Sequence, residues 1–273
     1  MGDSMHDILM SIILGIVEGF SEFLPVSSTG HLLVAEKLLG LGDDWESFTI
    51  IIQLGAILAV VVYYFKTFWT AVVTLPTSAH SRSFALGIIV ALLPSVVVGL
   101  LVKKFLDRVL LSPDHALPVI ATTWLLGGIL ILLLERIAPA SKWFDGTKLP
   151  LSKAFQIGCC QVLSIIPGVS RSGATILGGE LLGVDRTAAT MFTFYLAVPT
   201  MVAATVKQLH DKGGSLTHGQ EMNIAVGFVV SFIVAYVVIG GFLHIVKTYG
   251  LKPFGWYRIA AGVALAAYVL MQG

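Results

Sequence analysis

The sequence predicts an all-α polytopic membrane protein: six transmembrane helices plus two re-entrant helix-turn-helix segments arranged as an inverted-topology repeat. Three observations carry that expectation. Hydrophobic residues make up 56% of the 273 positions and charged residues 12%, with a mean hydropathy of +0.89, the composition of an integral membrane chain. Apolar runs close to the length of a membrane span recur along the chain. A polar motif set in that apolar sequence occurs twice, 143 residues apart: Gly15, Glu18, Ser21, Ser27, Thr29, Gly30, Leu39 and Gly40 align without a gap on Gly158, Gln161, Ser164, Ser170, Ser172, Gly173, Leu182 and Gly183.

The first motif copy, 8–40, begins as an apolar run, breaks at Pro25, passes a Ser/Gly-rich turn and resumes as a second apolar run. Proline, glycines and ionisable side chains at the midpoint leave each half too short for a bilayer core that needs ~20 helical residues. A re-entrant helix-turn-helix is therefore expected, since non-helical backbone at membrane depth is tolerated only where protein buries it or it lines a wet cavity. Full spans are expected at 48–66, 84–102 and 117–135. The second copy, 152–183, breaks at Pro167 in the same way, and spans at 187–206, 222–246 and 255–271 complete a single integral membrane domain, 1–273. Repeat 1 covers about 1–135 and repeat 2 about 150–273. The odd number of spans between the copies inverts the second relative to the first, so the two broken hairpins enter from opposite faces and meet near the midplane. A weaker echo sets Ala91, Ser95 and Val98 on Gly227, Ser231 and Val234.

A net charge of +1 gives no sign of a nucleic-acid partner. Cys159 and Cys160 are sequence neighbours in an apolar run, which excludes a disulfide framework or metal spacing and reads as small core hydrophobes. The N-terminal run carries Asp3 and Asp7 where a signal peptide has basic residues, so it reads as mature sequence. For orientation, Lys66, Arg82, Arg136, Lys142, Lys148, Lys153, Arg186, Lys247, Lys252 and Arg258 fall on one side, and Lys103, Lys104, Arg108, Lys207 and Lys212 on the other. That ten-to-five split places the first set in the cytoplasm and both termini outside.

Glu18 and Glu22 are one helical turn apart, which puts both carboxylates on one face. Two like charges in an apolar segment need a shared cation or proton. A hard divalent metal satisfies both, and Mg²⁺ in particular binds through one or two carboxylates plus substrate phosphate oxygens. The plainer reading is a helix edge that faces water. Pro25-Val-Ser-Ser-Thr-Gly-His31 reads as a turn and helix start, capped by Ser27, Ser28 or Thr29, where free N–H groups and the helix dipole favour an anion. His31, three residues after Ser28, is placed to activate a hydroxyl or to attack phosphorus itself. A capping serine and a backbone-bonded histidine are the alternative.

The second copy, Pro167-Gly-Val-Ser-Arg-Ser-Gly-Ala-Thr175, keeps the turn and exchanges carboxylates for a cation: Gln161 replaces Glu18, Ile165 replaces Glu22, and Arg171 stands where the first copy has Ser28. An arginine between Ser170 and Ser172 at a helix start suits bidentate capture of phosphate. The alternative is an ion pair with Glu18 or Glu22 that holds the hairpins together. Gln53 and Glu180 are further candidates, as groups supporting the site or as polar contacts between helices.

These motifs, Glu18-x3-Glu22 with Pro25–His31 and Pro167–Thr175, resemble the bacterial undecaprenyl-diphosphate phosphatase family, also called the bacitracin-resistance protein, over nearly the whole chain. The resemblance implies a hydrolase dependent on a divalent metal, Mg²⁺ or Ca²⁺, that removes the terminal phosphate of undecaprenyl diphosphate and recycles the lipid carrier of peptidoglycan synthesis. It implies metal or acid/base roles for Glu18 and Glu22, a nucleophile or phosphate contact in Ser28, and proton transfer or attack by His31. Ser170, Arg171 and Thr175 would contact the diphosphate, with Ser27, Thr29 and Ser172 as further substrate contacts. It also implies the bacterial plasma (inner) membrane, a site open to the periplasmic or outer face, and leaves room for a homodimer. The competing class is a polyprenyl-phosphate flippase or inverted-repeat transporter, because broken helices in repeats are the architecture of alternating access.

Overall fold

The computed structural model describes residues 4–42, 45–105, 109–110, 112, 115–211 and 221–272. Its principal helices are α1 (Ser4–Ser21), α2 (Ser28–Leu39), α3 (Glu46–Tyr63), α4 (Phe65–Val73), α5 (Ala79–Phe105) and α6 (Ala116–Ile137), then α7 (Leu151–Gln161) with a 3-10 turn at Val162–Ile165, α8 (Arg171–Leu181), α9 (Arg186–Asp211), α10 (Glu221–Tyr249) and α11 (Lys252–Gln272). Helices α5, α6, α9, α10 and α11 are each long and apolar enough to cross a membrane, and α3 with α4 makes a sixth such unit.

The run expected as one span at 48–66 is bent: α3 and α4 meet at 74°. The break falls at Tyr64, whose buried ring packs edge-on against Tyr195 at 5.0 Å. Beyond it α4 turns outward, with Phe65 and Trp69 exposed and stacked on each other at 5.9 Å. A tryptophan ring, with its polar N–H, settles at a membrane–water boundary rather than in its core. A second difference is length, since α1 has 18 residues, nearly a span, whereas its counterpart α7 has 11.

The two motif copies pack as counterparts, each against a helix of the other repeat: α1 against α10, and α7 against α5. Close backbone approach makes this possible. A Cβ on Gly15 would lie 2.8 Å from the Gly227 carbonyl, and one on the aligned Gly158 would strike the Ala91 carbonyl. Small residues at such crossings replace the hydrophobic drive that lipid cannot supply with van der Waals contact. The pairs α6 with α11 and α3 with α9 each join one repeat to the other. Between them lies a core of Phe23, Tyr64, Phe84, Phe192, Phe194, Tyr195, Phe242 and Phe254.

Two sequence expectations change. Cys159, expected in the core, is exposed on α7, where its neighbour Gly158 takes the face turned to α5, and Cys160 is half-buried. Arg258, counted above as a loop cation, is 1% exposed within α11 and belongs to the interior. The loop cation Arg108, with Asp3 and Lys212, lies outside the described residues, as do the side chains of Lys103 and Lys104.

Candidate active site

Both motif turns end in the same backbone device. Ser27 and Ser170 have φ of 73°, and among the described residues they are the only non-glycine positions at positive φ. Each serine then caps the following helix: Ser27 Oγ accepts from Gly30 N at 3.4 Å, and Ser170 Oγ accepts from Gly173 N at 3.1 Å. A left-handed serine costs on the order of 1–3 kcal/mol, and such strain persists only where its surroundings hold it. Here it aims the N-termini of α2 and α8 into one cavity of about 280 Å³, whose wall includes Glu22, Ser27, Ser28, Thr29, Gln53, Ser170 and Arg171. Free N–H groups and the dipole at two helix starts facing one space favour an anion there.

Three side chains on that wall are joined. Ser28 Oγ donates to Glu22 Oε2, and Arg171 Nη2 donates to Glu22 Oε1 at 2.9 Å. The Arg171 and Glu22 side chains are 11% and 8% exposed, so the pair is largely withdrawn from solvent. Arg171 is held from behind as well, with Nη1 donating to the Thr193 carbonyl at 3.2 Å and Nη2 reaching Met201 Sδ at 3.2 Å. The ion pair weighed above as an alternative for Arg171 is therefore present, with Glu22 as partner.

His31 does not pair with Ser28. Its Nδ1 lies 2.8 Å from the Ser27 carbonyl and its Nε2 lies 2.6 Å from the Tyr257 hydroxyl. A carbonyl only accepts, so Nδ1 carries a hydrogen, and in the neutral ring Nε2 accepts from Tyr257. The ring also packs on Trp124 at 4.4 Å, and both nitrogens are engaged. Ser172 and Thr175 lie behind the cavity wall rather than on it. Ser172 Oγ donates to the Leu24 carbonyl at 2.8 Å, tying the second turn to the first, and Thr175 Oγ1 donates to the Arg171 carbonyl at 2.9 Å. Glu180 sits at the far end of α8 beside Arg186, at 3.7 Å, away from the cavity.

Glu18 is 0% exposed, one turn behind Glu22, and neither of its carboxylate oxygens has a hydrogen-bond partner. The aligned position in the second copy is half closed: Gln161 Oε1 has no partner, while its Nε2 donates to Ser95 Oγ at 2.9 Å. Its counterpart Ser231, on α10, keeps a buried hydroxyl without a partner. A buried carboxylate in this state calls for a cation or a proton. Among the described residues no three His, Cys, Asp or Glu side chains gather around one point. The donor set Glu18 and Glu22 therefore suits a hard ion that takes its remaining ligands from water and phosphate, in the manner of Mg²⁺, better than one needing a complete protein cage.

Sequence reasoning missed Tyr257 and Arg258. A signal for the second was present, because Arg258 falls inside the apolar run 255–271, where an ionisable residue marks a buried functional or structural role.

Paired broken helices around a cavity walled by a carboxylate, hydroxyls and a guanidinium define a class: a polytopic α-helical membrane protein with a polar cavity between its two motif turns. The model of the bacitracin resistance protein family (BacA) matches residues 11–264, and the chain belongs to that family. It is 44% identical over 261 residues to an undecaprenyl-diphosphatase of Bradyrhizobium diazoefficiens, covering 94% of this chain and 96% of the relative. It is also 44% identical over 275 residues to an undecaprenyl-diphosphatase of Novosphingobium aromaticivorans, covering 98% and 100%.

Proposed function

We propose that the chain hydrolyses undecaprenyl diphosphate to undecaprenyl phosphate and inorganic phosphate, recycling the carrier for peptidoglycan synthesis and thereby conferring bacitracin resistance. The observation that carries the reading is the joined set Ser28–Glu22–Arg171 on the wall of one cavity fed by two helix N-termini. That cavity shares Ser164, Ile165, Thr200 and Ala204 with a mainly apolar groove of about 460 Å³ that runs along Leu92, Val96 and Leu100 of α5. A diphosphate in the polar part and an isoprenoid chain leaving through the apolar part match a lipid that never quits the bilayer.

In this reading Arg171 and the amides at the starts of α2 and α8 bind the terminal phosphate. Ser28 Oγ attacks its phosphorus and passes its proton to Glu22, the only acceptor its hydroxyl has. A serine O–P bond forms as the anhydride P–O bond breaks and undecaprenyl phosphate leaves. Glu22 passes that proton to the departing undecaprenyl phosphate, then takes one from the water that attacks the phosphoserine and returns it to Ser28 Oγ as the serine O–P bond breaks and inorganic phosphate leaves. Glu18 and Glu22 would hold the divalent ion, Mg²⁺ or Ca²⁺, which would neutralise phosphate charge as in other phosphoryl transfers. His31, anchored by Tyr257, braces the turn that carries Ser28 rather than serving as its base.

The reading extends to placement in the bacterial plasma (inner) membrane, with the two broken hairpins re-entrant from opposite faces and the cavity open to the outer face. With Arg258 removed from the loop cations the split is nine to five, which still supports termini outside. The test is phosphate release from a polyprenyl diphosphate by detergent-purified protein with Mg²⁺, with Ca²⁺ and with chelator. Metal-dependent release, with a phosphoserine trapped at Ser28, is expected. Folded protein that releases no phosphate yet moves the lipid across vesicles would replace hydrolysis with transport.

A further inference from the structure

Arg258 is the largest side chain fully enclosed by the protein, at 1% exposure, and no acidic group forms an ion pair with it among the described residues. Its guanidinium has five N–H groups, and five backbone carbonyls receive them. Nη1 donates to Pro25 O at 3.2 Å and Val169 O at 2.9 Å, Nη2 to Gly168 O at 2.9 Å and Thr123 O at 2.7 Å, and Nε to Trp124 O at 3.4 Å. Pro25 belongs to the first motif turn and Gly168 and Val169 to the second, each within two residues of a left-handed serine. Thr123 and Trp124 belong to α6, where Gly127 leaves the space, since a Cβ there would collide with the guanidinium.

We propose that Arg258 is a positioning residue that locks the two motif turns to each other and to α6, so that Ser28 and Glu22 of one repeat and Arg171 of the other face the same phosphate. The physical case is one of economy among alternatives. Turn carbonyls at membrane depth have no water to bond, so each needs a protein donor. An apolar side chain would leave three turn carbonyls short of that donor, and lysine has three N–H groups for five acceptors. A planar fork with fixed donor directions also transmits geometry, which a flexible ammonium does not. The neighbouring bonds point the same way: Thr123 Oγ1 donates to Pro167 O at 2.9 Å and Ser172 Oγ to Leu24 O at 2.8 Å. Arg258 is thus the centre of a small backbone network under the cavity: it does not line the space itself, but Pro167 and Gly168, whose carbonyls the network holds, do.

The catalytic part of this inference rests on the hydrolase reading; the positional part does not. Both are tested on full-length protein carrying R258Q or R258K. Nitroxide labels at Leu38→Cys on α2 and Leu163→Cys beside the second turn, both exposed positions, report the distance between the hairpins once Cys159 and Cys160 are replaced by serine. The expected result is one narrow distance distribution with Arg258, a broad one in R258Q and an intermediate one in R258K. In phosphate release, kcat of R258Q is expected to fall about 100-fold, the scale of a misplacement near 1 Å, while KM for the lipid diphosphate stays within about threefold. Unchanged distributions in both variants overturn the proposal whatever the rates. If R258Q does not fold, R258K alone decides, and wild-type behaviour in both readouts overturns it. Inactive protein with Arg258 in place and a narrow distribution strikes the hydrolase reading instead.

Discussion

Replacing Glu22 by glutamine keeps the side chain's shape and removes the one charge on which two hydrogen bonds at the cavity wall depend. Arg171 Nη2 lies 2.9 Å from Glu22 Oε1, a separation at which Coulomb's law with an effective dielectric near 20 gives about 6 kcal/mol before desolvation is counted. Breaking one partner of a buried pair typically costs about 3–5 kcal/mol. Arg171 retains the Thr193 carbonyl and Met201 sulfur and borders a cavity, so the lower end of that range applies. The catalytic loss comes from a different source, because glutamine cannot take a proton from Ser28. Losing a general base lowers kcat by about 10²–10⁴-fold. The assay is phosphate release from a polyprenyl diphosphate, run beside thermal unfolding of the same preparation in detergent. Glu22→Gln is expected to lose activity far beyond its loss of stability, and phosphate affinity is expected to hold or rise as Arg171 is released. A kcat within about threefold of wild type, under ~1 kcal/mol of barrier, would refute the assignment of Glu22 as base.

Other expectations follow from the same geometry. Ser170→Ala should destabilise the protein more than Ser170→Gly, because alanine loses the cap to Gly173 N and keeps the strain at φ 73°; a difference of about 1 kcal/mol in unfolding free energy is expected. Gly15→Val is expected to cost about 1–3 kcal/mol by overpacking, since its Cβ would sit 2.8 Å from the Gly227 carbonyl and 3.1 Å from Val230 Cβ; thermal unfolding checks it, and an unchanged midpoint would contradict the α1–α10 contact. Tyr257→Phe removes the bond to His31 Nε2 and is expected to cost roughly 1 kcal/mol of stability. It should leave phosphate release within about tenfold of wild type, less than loss of a general base would cause. A larger loss of activity would return His31 to the chemistry.

The membrane class and the motif turns were legible because their signals are local. Hydropathy marks α5, α6, α9, α10 and α11 by composition alone, and Pro25 and Pro167 mark the turns by what proline forbids. The matched serines at positive φ were foreshadowed by the gapless alignment of Ser27 on Ser170. The bend at Tyr64 was not, because no proline or glycine marks it and the aromatic contact made there is with Tyr195, far along the chain.

What the sequence alone determined is therefore an all-helical membrane protein with two broken hairpins, one bearing carboxylates and the other an arginine. Short-range spacing and side-chain type suffice for that. Only the tertiary structure decided which groups meet. Glu22 rather than His31 receives the Ser28 hydroxyl, Tyr257 occupies the imidazole, and Arg258 gathers carbonyls from both turns. The bonds from Tyr257 to His31 and from Arg258 to Pro25 join residues more than 200 positions apart in the chain. They depend on how α11 lies against α6 and the turns, and no local propensity records that.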